Sequence, residues 1–74
     1  MLNIRRKFGL AVRRRRQKFE LSQEVLAEHA DIHRTYVSSI ESGKVTAGLE
    51  VCSKIAKALK IPLSQLIREA EKSH

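Results

Sequence analysis

The chain has 74 residues, a formal net charge of +7 and a sequence pI near 10.2. That length holds one domain, residues 1–74, whose core is small enough that oligomerisation is a common remedy for marginal stability. No apolar run is long enough to span a membrane, the basic N-terminus lacks the continuous apolar stretch of a secretory signal, and the lone Cys52 cannot form an internal disulfide, so a cytoplasmic location is expected.

The chain lacks Trp and has few aromatics, so the core must be aliphatic. Without any useful run of alternating β-branched residues, an all-α domain is the expected class. A first helix is predicted from Asn3 or Ile4 to Lys18, with Asn3 as N-cap and Ile4, Phe8, Ala11 and Val12 as its apolar stripe. Arg16 continues that stripe with a charge, and Gly9 is the one glycine inside a helical pattern. Ser22 caps a second helix that begins with Gln23 and Glu24, the latter suited to the positive helix end, and turns Leu26, Ala27 and Ala30 inward. Asp31 falls where the chain must turn sharply, a place usually taken by Gly but better tolerated by Asp than by most residues.

Ile32 packs in the turn and His33 caps a third helix, about Arg34 to Ser42, with Val37 and Ile40 inward and Gly43 as terminator. A fourth helix starts after Gly48 and runs from Leu49 to about Leu59, with Leu49, Cys52, Ile55, Ala56 and Leu59 on its core face. Pro62 opens a fifth, with Leu63, Leu66, Ile67 and Ala70 apolar, and the last few residues are expected to fray.

Helices two and three with their tight turn, about residues 22–42, read as a helix-turn-helix, which places its second helix in the DNA major groove. Arg34, Thr35, Ser38 and Ser39 are left for the outer surface of helix three, with Tyr36 on the flank. A solvated helix usually carries Lys and Glu pairs there. Short hydrogen-bonding groups led by an arginine suit base edges better: arginine can donate twice to guanine, and a threonine methyl can touch thymine. The charge is also asymmetric. Residues 1–18 carry Arg5, Arg6, Lys7, Arg13, Arg14, Arg15, Arg16 and Lys18 and no acid, whereas the remainder is close to neutral, which suggests a polyanion nearby.

Gln23, Leu26–Ala27, Tyr36–Val37, Ile40–Glu41, Gly43 and the run Leu49 to Leu59 together resemble the Cro/phage-repressor (XRE-type) helix-turn-helix family, over about Phe8 to Leu66. Within it, the Arg-Thr-Tyr opening of helix three and the short chain resemble the controller proteins of restriction–modification systems. The resemblance implies a compact five-helix, lambda-repressor-like bundle that binds duplex DNA as a homodimer. It implies that Gln23, Lys44 and Thr46 contact the DNA backbone, with His33 and Tyr36 beside them, and that Arg34, Thr35, Ser38 and Ser39 read bases. It also implies a buried salt bridge between Arg16 and Glu41. The dimer interface is expected on Leu63, Ile67 and Ala70 with Val51.

The family often has Gly where Glu20 and Asp31 stand, so both turns are expected to differ in detail. Arg15 occupies a position often apolar; its stem is expected to pack while its head stays in solvent. His29 and His33 are four apart, but Asp31 and Ile32 break the helix between them and no further ligand completes a metal set. Cys52 reads as a small core residue.

With no nucleophile–base pair, phosphate loop or paired acids, the chain is expected not to be an enzyme, and to need no cofactor, metal or small-molecule ligand. The function expected is a sequence-specific transcriptional regulator on a roughly palindromic operator, controlling a restriction–modification operon or its own promoter. The competing reading is an antitoxin-type interaction module with autoregulatory DNA binding; its mark would be a toxin-binding extension, of which the sequence has almost none after the fifth helix. A membrane-surface role for the basic first helix conflicts with the need for its apolar stripe in the core.

Overall fold

The computed structural model describes residues 3–72. Five helices follow in order: α1 (Ile4–Lys18), α2 (Gln23–Ala30), α3 (Arg34–Glu41), α4 (Leu49–Ala58) and α5 (Leu63–Lys72). The expected fraying concerns Ser73 and His74, which lie outside the described residues.

Local chemistry sets the helix starts. Asn3 Oδ1 accepts from the Arg6 N–H at 3.0 Å, Ser22 Oγ from Val25 N–H at 3.0 Å, and His33 Nδ1 from Thr35 N–H at 3.1 Å. Each cap satisfies one of the N–H groups that a helix leaves without an internal partner. The Pro62 carbonyl serves the same end of α5, accepting from Gln65 N–H at 3.0 Å and Leu66 N–H at 3.2 Å.

The helix ends share one device. After α1, α2, α3 and α4 comes a residue at positive φ: Glu20 (58°), Asp31 (56°), Gly43 (75°) and Lys60 (61°). At each, the next residue's N–H reaches back five residues: Leu21 to Arg16, Ile32 to Ala27, Lys44 to Ser39 and Ile61 to Ala56, all at 2.9–3.1 Å. This is the Schellman closure, which satisfies the orphan carbonyls of a helix end and places an apolar residue back against it. Leu21, Ile32 and Ile61 do pack against the core. So the turns expected to depart from glycine keep the left-handed geometry and carry its strain, about 1–2 kcal/mol per non-glycine residue.

The core is aliphatic as the composition requires. Val12, Leu26, Val37, Ile55, Leu59 and Leu66 are fully buried, and Phe8 and Cys52 lie at its margin. Around it α1 packs on α5 and α3, α2 on α3 and α4, and α4 on α5. Burial also pushes the Cys52 thiol up from its ordinary pKa, consistent with a small core residue.

Two apolar positions are not where periodicity puts them. Leu49 has the spacing of the α4 core face, yet it is 79% exposed in the first turn of α4, at the rim of a groove that also takes in Cys52 and Ile67. Ile4, first in the α1 stripe, is 55% exposed at the start of α1 and lines the same groove.

Arg15 also departs from expectation. Its Nε donates to Glu69 Oε1 at 2.9 Å and Oε2 at 3.1 Å, and its Nη2 bonds Oε2, so the guanidinium is tied to α5 rather than left in solvent. The Arg15 hydrogen bond holds the Glu69 carboxyl below its ordinary pKa, with a smaller contribution from Gln65.

Candidate nucleic-acid interface

The site begins with two short helices and a three-residue connection. The closure at Asp31 turns the chain after α2, Ile32 anchors the turn to the core, and His33 starts α3. Val37, Ile40 and Glu41 are the buried residues of α3. Their spacing leaves one face outward, where Arg34, Thr35 and Ser38 are exposed and Ser39 is half-buried. The Thr35 hydroxyl lies 2.7 Å from His33 Nδ1, which ties the cap to the first turn of this face.

A polar knot fixes how α3 sits. Arg16 of α1 donates from Nε to Glu41 Oε2 at 2.7 Å and from Nη2 to Glu41 Oε1 at 3.0 Å. Its Nη1 donates to the Leu21 carbonyl at 2.8 Å. The side chains are only 12% and 4% exposed, so both charges are withdrawn from water and each needs the other. Glu41 Oε1 also accepts from Gln23 Nε2 at 3.1 Å. One carboxylate therefore joins α1, the N-terminus of α2 and α3.

The knot requires close approach of α1 to α3, and Gly9 permits it. A Cβ there would lie 2.2 Å from the Ile40 carbonyl oxygen and 2.7 Å from that of Glu41. The loop after α3 carries Lys44 and Thr46, both exposed, beside the exposed α3 face. The outward helix, the glutamine that Glu41 holds at the N-terminus of α2 and the exposed Lys44 that follows α3 are thus the polar groups available to a ligand here. Phosphate oxygens suit the N–H groups and positive end of such a helix.

A helix-turn-helix family model matches residues 12–66. This chain is 42% identical over 73 residues to the control protein C.MunI of Mycoplasma sp., spanning 97% of this chain and 99% of that one. This chain belongs to the helix-turn-helix family of controller proteins. Among solved structures it is similar to the restriction–modification controller protein C.AhdI of Aeromonas hydrophila, at 38% identity and a TM-score of 0.81, over 82% of this chain and 92% of that one. It is also similar to the controller protein C.Esp1396I, solved as a tetramer on its natural 35 base-pair operator, at 25% identity and a TM-score of 0.82, over 97% and 100% of the two chains.

In this controller-family chain, Tyr36 is half-buried and packs against the core, while His33 is exposed beside it. Ala70 needs correction as an interface residue. It is fully buried within the chain, on the side of α5 turned to its own core, and has no surface to offer a partner. Val51, Leu63 and Ile67 are partly exposed. No motif in the sequence marks Glu69 or sets Arg6 apart within the basic run. Glu69 lies three residues after the core residue Leu66, a weak hint that an acid there faces another helix. Among the described residues no three His, Cys, Asp or Glu side chains come together as a metal set, and no helix is long and apolar enough to cross a membrane.

Proposed function

We propose that this chain is a sequence-specific transcriptional regulator that binds a roughly palindromic operator as a homodimer, controlling a restriction–modification operon or its own promoter. The observation that carries the reading is the outward face of α3, whose short polar groups and Arg34 are held at a fixed angle by Val37, Ile40 and the Glu41 knot. Arg34, Thr35, Ser38 and Ser39 read bases. Gln23, His33, Tyr36, Lys44 and Thr46 contact the backbone, and Gln23 keeps one amide hydrogen for a phosphate after donating the other to Glu41. The DNA-bound state of C.Esp1396I supports the choice of partner.

Arg34→Ala is expected to lower discrimination at one base-pair position by about 1–3 kcal/mol, because the bidentate contact is lost. Selection of bound sequences from random duplexes, with wild type and variant side by side, reads this directly. Unchanged base preference at every position would show that Arg34 reads nothing.

The dimer requires recognition helices about 34 Å apart. Exposed Leu49 and Ile4 border a shallow groove that also takes in Val45, Ala47 and Ile67, and an apolar surface of this kind favours burial. A second copy of the chain covers it, and the partly exposed Val51 and Leu63 contribute to the same interface. Leu49→Glu is expected to shift the protein to monomer in sedimentation at micromolar concentration and to weaken operator binding in parallel. A variant that sediments as the wild-type dimer would place the interface elsewhere.

A further inference from the structure

Three of the four left-handed helix ends are made without glycine, at Glu20, Asp31 and Lys60, so the backbone angle alone does not explain Gly43. Space explains it. A Cβ on Gly43 would lie 2.5 Å from Arg6 Cδ, 2.9 Å from Arg6 Cγ and 3.2 Å from Arg6 Cα. The turn that ends α3 is shaped to receive the stem of Arg6, which crosses it from the first turn of α1. Arg6 is nonetheless exposed, and its guanidinium has no hydrogen-bond partner among the described residues. A long cationic side chain laid across a turn in this way packs its methylenes and leaves its head in water. The turn it crosses leads directly into Lys44, in the loop that follows the exposed α3 face.

The arginine run sorts itself around this point. Arg16 is engaged by Glu41 and Arg15 by Glu69. Arg13 is exposed. It follows Arg6 by seven residues, which returns it to nearly the same side of the helix, about 10 Å further along α1. Arg6 and Arg13 thus share an edge of α1, with Gly9 and its α3 contact alongside. Residues 1–18 contain no acid to neutralise this edge, and the neighbouring acid of α3, Glu41, is occupied.

We propose that Arg6 and Arg13 form a ledge on α1 that binds DNA phosphates flanking those held by Gln23 and Lys44, so that α1 extends the footprint of the helix-turn-helix. The proposal rests on the DNA-binding reading above. The ledge carries no base-reading geometry: it contributes affinity to every sequence alike and makes that affinity depend on salt, because each neutralised phosphate releases counterions. The Arg6 stem lies against the Gly43 turn, which sets it apart from a side chain extended freely into solvent.

The test measures affinity for a selected operator duplex and for a random duplex across a salt series, using the full chain and Arg6→Gln, Arg13→Gln and the double variant. Each substitution is expected to make the log–log salt slope less negative by about 1 and to weaken both duplexes by the same factor. Arg6→Lys and Arg13→Lys are expected to keep the wild-type slope. Circular dichroism and the thermal midpoint report the fold. If Arg6→Gln unfolds, Arg13→Gln, distant from the Gly43 contact, carries the test alone. An unchanged slope, or a slope lost equally in the lysine variants, overturns the ledge. Arg34→Ala, run in the same series, separates the two readings: relaxed specificity there with unchanged slopes in the α1 variants removes the ledge and leaves the DNA-binding reading standing.

Discussion

Glu41→Ala is expected to lower the unfolding free energy by about 3–5 kcal/mol, the usual cost of removing one partner of a buried ion pair. Arg16 would keep its charge in a site where its side chain is 12% exposed, with only the Leu21 carbonyl left as an acceptor. A domain of 74 residues has roughly 4–11 kcal/mol of total stability at ordinary values per residue, so the loss would consume a large part of it. Urea unfolding monitored by circular dichroism measures the change, and a loss below about 1 kcal/mol would mean that the knot does not hold the fold. Replacing both partners, Arg16→Met with Glu41→Leu, is expected to recover most of the stability, since apolar residues of similar volume avoid burying charge. That double variant still lacks the oxygen that orients Gln23. It should therefore fold well and bind DNA weakly, which separates the structural role of Glu41 from its role in presenting the amide.

The second large effect is at Gly9. In an open helix interior, Gly→Ala stabilises by about 1 kcal/mol. Here the sign is expected to reverse, with a loss of about 3 kcal/mol, the upper end of ordinary overpacking. The new methyl would meet carbonyl oxygens and the Glu41 carbonyl carbon, all backbone atoms that cannot rotate away. Only separation of α1 from α3 would relieve the contact, and separation stretches the Arg16–Glu41 bonds. Thermal unfolding checks the sign; a raised midpoint would show that the helices have room to part. A chain of this size moves its midpoint by about 4–8 °C per kcal/mol, so either result is easily read.

Much of the fold is legible in the sequence because its signals are local. Asn3, Ser22 and His33 are recognisable caps, and each makes the expected bond. The spacing of Val37 and Ile40 leaves the same outer face on α3 that the structure presents. Positions decided by other elements are harder to read. Leu49 has core spacing but stands exposed at the rim of a groove, which a helical period cannot express. Ala70 is apolar on α5 but turned to its own core, and spacing alone does not tell inner from outer positions near the end of a helix. Arg15 finds its partner 54 residues away, and Arg6 finds its groove at Gly43; both are long-range matches with no local trace. The Arg16–Glu41 pair, 25 residues apart, is anticipated only through family resemblance.

The outward residues of α3 stand apart from the rest of the molecule in one respect. Arg34, Thr35 and Ser38 are exposed, and among the described residues the side-chain tie they make is the contact between the Thr35 hydroxyl and its own cap, His33. Exposed changes of this kind usually alter stability by less than about 0.5 kcal/mol. Altering Gly9, Arg16 or Glu41 disturbs the whole scaffold. On the proposed reading, in which these residues meet the bases, the chain is organised so that specificity can be rewritten at a few exposed positions of α3 while the frame that holds it stays unchanged.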